Sequence, residues 1–178
     1  MHKKLFFVLA LIGVAAASRL LPHPPNFTPI AAMALFGGAF FASKRMAFGI
    51  PLGAMLLSDM VIGWISNMGL GFHSTQPVVY ATFLVTVCLG FLLREHRGVL
   101  RTASVSLASS LLFFVTTNLA VWAEGIYYAK SLSGLLTCFV AAIPFFHYTV
   151  LGDACYVALM FGAMAWAHSR QGLAFSRR

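Results

Sequence analysis

The sequence predicts an all-α integral membrane protein: one bundle of six transmembrane helices with both termini cytoplasmic, plus a short outer-side helix or re-entrant piece near 134–146. Three observations lead there. Of the 178 residues, 60% are hydrophobic and only 9% are charged, against about 25% charged in a soluble domain. The apolar residues gather in runs near the roughly 20 residues that cross a hydrocarbon core. The basic residues fall between those runs so that nearly all lie on one side.

The runs are about 5–21, 27–42, 46–66, 77–93, 103–123 and 148–168. Lipid offers no partner for backbone N–H and C=O groups, so each run is read as a helix. The first two are short, and the apolar piece 134–146 is too short to cross. Residues 1–18 also fit a secretory signal peptide, with a basic start and an Ala15-Ala16-Ala17 site. They are read as a retained first helix, because the next apolar run follows too soon for a typical mature domain. That helix also carries a packing face, Gly13 and Ala17 four residues apart. Ala34, Gly38 and Ala42 repeat the spacing on the second helix, and Gly49 and Gly53 on the third. Small residues so spaced let helices approach closely, and on helix 1 they also suit a partner protein. No Gly/Ser linker, heptad or short repeat divides the chain.

Charge sets the orientation. Lys3, Lys4, Lys44, Arg45, Arg94, Arg97, Arg101, Arg170, Arg177 and Arg178 fall on one side, and only Arg19 and Lys130 on the other. By the positive-inside rule both termini are cytoplasmic, and 19–27, 67–76 and 124–147 form the outer loops. The net charge of +8 therefore reports loop charge in a bilayer rather than a nucleic-acid site. Cys88, Cys138 and Cys155 lack metal-binding spacing. No disulfide framework, metal site or cofactor is expected.

The polar residues converge on the outer half. Residues 19–32, Arg-Leu-Leu-Pro-His-Pro-Pro-Asn-Phe-Thr-Pro-Ile-Ala-Ala, place Arg19, His23 and Asn26 in a proline-rich connector that cannot be ordinary helix. At 1.5 Å per residue, Asp59 lies roughly 10 Å inside span 3, and Asn118 and Asp153 roughly 8 Å inside spans 5 and 6. His73, Gln76, Glu124 and His147 lie in or beside the outer loops. An aspartate at the centre of a span costs about 2.5–3.5 kcal/mol on insertion scales, so it faces a cavity or a partner. One reading is an outward-facing pocket. The other is an ion pair of Arg19 with Asp59 or Asp153 that locks the bundle. Trp122 lies one turn beyond Asn118 on the same helix face, a candidate ligand-facing pair. Its neighbours Trp64, Tyr127, Tyr128, Tyr148 and Phe145-Phe146 also suit an interfacial aromatic belt.

The chain has no GxxxxGK[ST], HExxH or GxSxG, so neither a P-loop ATPase nor these hydrolase types is encoded. Two intramembrane aspartates leave a small intramembrane hydrolase as an alternative. Gly152-Asp153 lacks the fuller GxGD context of membrane aspartic proteases, and no enzyme activity is expected.

The segment Arg19-Leu-Leu-Pro-His-Pro-Pro-Asn-Phe-Thr-Pro-Ile resembles that of a bacterial family of small six-span membrane proteins carrying the same HPPNFTPI-type motif. Ser58-Asp59, Thr117-Asn118 with Trp122, and Ile143-Pro144-Phe145-Phe146 fit the same pattern. That family is distantly similar to the S components of energy-coupling-factor vitamin transporters, six-helix bundles whose first loop covers an outward-facing pocket. The resemblance implies a substrate-binding protein of the bacterial cytoplasmic membrane for a small vitamin or cofactor precursor, with cobalamin the first guess. It makes 19–27 the lid and turns Arg19, His23, Asn26, Asp59, Asn118, Trp122 and Asp153 toward ligand. Gly13 and Ala17 stand where S components carry AxxxA to dock energising subunits. A pocket cysteine binds cobalt in one S-component-like group, and Cys138 and Cys155 are the outer-half counterparts here. The rival is a structural or assembly subunit held by the Arg–Asp lock.

Overall fold

The computed structural model describes residues 2–66 and 74–170. Among them are six helices and no strand: α1 (His2–Ser18), α2 (Ile30–Phe40), α3 (Lys44–Ile65), α4 (Gln76–Phe91), α5 (Val99–Glu124) and α6 (Leu132–Arg170). Helices α3, α5 and α6 are long and apolar enough to cross a membrane, while α1, α2 and α4 are apolar but shorter. His73, Arg177 and Arg178 lie outside the described residues.

Helix α2 is the axis of the bundle. It is apolar on every side, and Ala31 through Phe40 are all buried, as expected of a helix enclosed by its neighbours. Its 11 residues span only about 17 Å, so the expected span 27–42 contracts at both ends. Residues 27–29 belong to the preceding turn, and Phe41 leaves the helix in an extended conformation. A Cβ on Gly38 would overlap the Val87 carbonyl, and one on Gly90 would approach the Leu35 carbonyl to 2.5 Å. Both positions therefore need glycine, because there the α2 and α4 backbones touch.

The far end of α2 is closed by two arginines. A helix leaves its last carbonyls without intrahelical partners, at the negative end of its dipole. Arg94 donates from Nε to the Gly38 carbonyl and from Nη2 to that of Phe41, each at 3.0 Å. Arg97 donates from Nη2 to the Ala39 carbonyl, also at 3.0 Å. The guanidinium planes cover the rings of Phe91 and Phe40 at 4.2 and 4.6 Å. Residues counted in sequence only as markers of sidedness are thus part of the packing.

Helix α6 corrects the expected outer piece. Residues 134–146 and 148–168 belong to one helix of 39 residues, about 58 Å long. Pro144 lies inside it. A proline removes one N–H and one i→i−4 bond, and the helix continues through it with apolar contacts on both sides. Phe114 packs on Phe139 and Phe146, with ring centroids 5.4 and 4.7 Å away, so α5 grips α6 on both sides of Pro144. The expected loop 124–147 shrinks accordingly. Gly125, at φ 69, ends α5 in the left-handed conformation that glycine adopts freely. His147 lies within α6, its ring 4.0 Å from that of Tyr148.

The remaining small-residue faces point away from the core. A Cβ at Gly13, Gly49 or Gly53 would meet nothing within 4 Å, and Ala17 is exposed. Helix α1 instead buries Val8, Ile12, Ala15 and Ala16.

Candidate functional site

The connector between α1 and α2 folds first by local rules. The Phe27 N–H donates to the Pro24 carbonyl at 3.1 Å, and Asn26 has φ 63. Proline at the second position and a left-handed residue at the third mark a type II turn, and asparagine is among the few residues besides glycine that tolerate that conformation. The turn seats on α6. A Cβ on Gly152 would lie 3.1 Å from both Phe27 Cα and Thr28 N, so this close seat depends on a small residue. The Phe27 ring packs 5.9 Å from that of Tyr156, whose hydroxyl accepts from Ser18 Oγ at 3.0 Å. Asp153 follows Gly152, so the connector closes directly beside a buried carboxyl.

Two cavities with buried carboxylates in their walls lie beside this connector. The larger, about 250 Å³, is lined in part by Arg19, Ile30, Asp59, Gln76 and Phe113. Arg19 follows α1 and reaches across to α3, its Nη2 pairing with Asp59 Oδ1 at 2.5 Å. Its Nη1 donates to Ser58 Oγ and, at 3.3 Å, to the Met55 carbonyl. Asp59 Oδ2 accepts from Gln76 Nε2 at 2.9 Å and Tyr80 Oη at 2.5 Å. The pair is buried, with 9% and 6% of the two side chains accessible. Arg19 Nε is buried without a hydrogen-bond partner among the described residues. The ion pair left open in sequence between Asp59 and Asp153 therefore forms with Asp59.

The smaller cavity, about 90 Å³, is lined by Asn26, Thr28, Thr149 and Asp153, and it shares Ile30 and Phe113 with the first. Asp153 is 3% exposed, and its Oδ2 accepts from Ser110 Oγ at 2.6 Å. No basic side chain is among the residues lining this cavity. Asp153 also sits further along its helix than expected. Because the helix begins at Leu132, the carboxyl lies roughly 30 Å along it, near its middle.

A family model, described as a family of unknown function (DUF6580), matches residues 1–174. The chain belongs to this family. No curated protein and no solved structure matches it.

In this DUF6580 chain the other candidate residues stand apart from the two cavities. Asn118 donates from Nδ2 to the Phe114 carbonyl of its own helix at 2.7 Å. It lies two turns, roughly 12 Å, along α5 from Ser110. Trp122 donates from Nε1 to the Ala129 carbonyl at 3.0 Å, which ties down the α5–α6 loop. His23 is exposed, its Nδ1 3.0 Å from the Pro24 carbonyl. Cys138 is buried, with its thiol 3.5 Å from the Asn118 carbonyl, while Cys88 and Cys155 are exposed. No cluster of three or more His, Cys, Asp or Glu is placed to hold a metal among the described residues. The structure adds Tyr80, Ser110 and Phe113, which sequence reasoning missed. Gln76 and Tyr80 carried a signal: four apart at one helix end, they share a face.

Proposed function

We propose that this protein is a membrane substrate-binding protein of the S-component type, taking up a small vitamin or cofactor precursor from outside the bacterial cytoplasmic membrane. The observation that carries this reading is the pair of neighbouring cavities, each lined by a buried carboxylate and sharing Ile30 and Phe113, the smaller also lined by Asn26 and Thr28 of the connector. Six helices cross the bilayer with both termini inside. The buried residues flanking α2, Pro29 and Phe41, complete its crossing as non-helical backbone enclosed in protein. Asn26 and the turn form the lid, Arg19 and Asp59 one wall, and Asp153 the uncompensated group that a cationic or donor-bearing ligand would satisfy. The volumes lie below the roughly 300–1,000 Å³ of drug-sized pockets, which favours a small ligand over cobalamin. The open faces at Gly13 and Ala17 suit an energising subunit that docks on α1.

The second reading is an assembly subunit held by the Arg19–Asp59 lock, favoured by the number of bonds converging on Asp59. An aspartic dyad is disfavoured, because two carboxylates that share a proton must adjoin while Asp59 is engaged by Arg19. The deciding experiment is mass spectrometry of small molecules that co-purify with the protein in mild detergent, followed by thermal shift with any found. Asp153→Asn should fold and lose that ligand. Repeated purifications with no bound molecule, and no shift across a panel of vitamins, would sink the transport reading.

A further inference from the structure

A further hollow adjoins the polar site at Ser110. It is an open groove of about 570 Å³ between the first half of α5 and the second half of α6. Small residues at Ala154, Ala158 and Gly162 hold the α6 wall back, and they stand four apart on one face. The α5 wall carries Thr102, Ser106 and Ser110 at the same spacing. Ser110 is occupied by Asp153 and the Ser106 carbonyl. Thr102 differs. It is 94% buried, being 6% exposed, and its Oγ1 has no hydrogen-bond partner among the described residues. A buried hydroxyl without a partner is a costly arrangement, and this one, itself closed off, reaches the groove only when its side chain turns outward.

Charge gives the groove a direction. Arg97 lines one end, and its charge acts on both Lys4 and His168. Arg94 and Arg101 lie within four residues of it, and Glu95 is the acid of that turn. Arg97 therefore sets a positive charge at the mouth. Thr102 stands one turn further in, roughly 6 Å from Gly98 along α5, and the walls beyond are apolar apart from the serines.

We propose that the α5–α6 groove binds an anionic glycerophospholipid from the leaflet on the Arg97 side. The phosphate sits at Arg97, a glycerol ester accepts from Thr102 Oγ1 as that side chain turns outward, and one acyl chain fills the groove. The order of charge, lone hydroxyl and apolar wall follows the order of groups along such a lipid. The groove meets the outer site at Ser110, but the proposal does not rest on the proposed uptake.

The test is native mass spectrometry of the full chain in mild detergent, with added phosphatidylglycerol or phosphatidylcholine. Ala158 is exposed, so Ala158→Phe fills the groove without burying new bulk in the core. Leu159→Phe, on the adjacent exposed position, is the control. Wild type and L159F should retain phosphatidylglycerol several-fold over phosphatidylcholine. A158F should abolish that excess, and Thr102→Val should reduce it. Equal retention of both lipids, or an excess unchanged in A158F, would overturn the proposal. So would a cross-link between two copies through Ala158→Cys in native membranes, which would assign the groove to a second chain.

Discussion

At the scale of residues, two aspartates in similar sequence surroundings have opposite environments. Asp59 is held by Arg19, Gln76 and Tyr80, whereas Asp153 has the hydroxyl of Ser110. Removing one partner of a buried ion pair strands the other, at about 3–5 kcal/mol. Asp59→Asn should therefore lower the melting temperature in detergent markedly. Asp153→Asn, which can still accept from Ser110, should melt close to wild type, and equal losses would contradict the asymmetry. The turn gives a second prediction. At φ 63 a β-branched side chain is strained by about 1–2 kcal/mol, so Asn26→Val should destabilise in chemical unfolding and Asn26→Gly should not. The break from helix at this connector was legible because proline acts locally, whereas the left-handed Asn26 was not. Tyr80 and Ser110 were not, since an isolated Tyr or Ser in an apolar run carries no mark of what it faces.

At the scale of elements, the small-residue spacings in the sequence were alike, but the structure uses them differently. Gly38 meets the α4 backbone, and Gly49 meets nothing. Gly38→Ala should cost about 1–3 kcal/mol by overpacking, while Gly49→Ala should be neutral or slightly stabilising, as alanine favours helix. Thermal melts of the two variants side by side would decide it. Spacing reports which residues share a face, not what stands opposite. Helix α6 shows the same limit. Read alone, 134–146 is too short to cross, yet the rings of Phe114, Phe139 and Phe146 join it to the rest. Contacts between distant segments are not written in the run itself, and neither is the position of Asp153 along α6.

At the scale of the whole molecule, the apolar composition made an all-helical architecture legible, and the structure has six helices among the described residues. The topology remains to be tested by chemistry. A cysteine at position 73 in a cysteine-free background should react with an impermeant thiol reagent added from outside, and its protection there would reverse the proposed orientation. The arginines that support this orientation have a second duty. Arg94 and Arg97 hold three carbonyls at the end of the central helix, so the residues that carry the proposed orientation also fasten the finished bundle. Charge-swapping experiments that redirect other membrane proteins would here confound topology with folding. Lysine would keep the charge at these positions but could not reproduce the planar fork, so insertion and assembly can be separated by a substitution that preserves one and loosens the other.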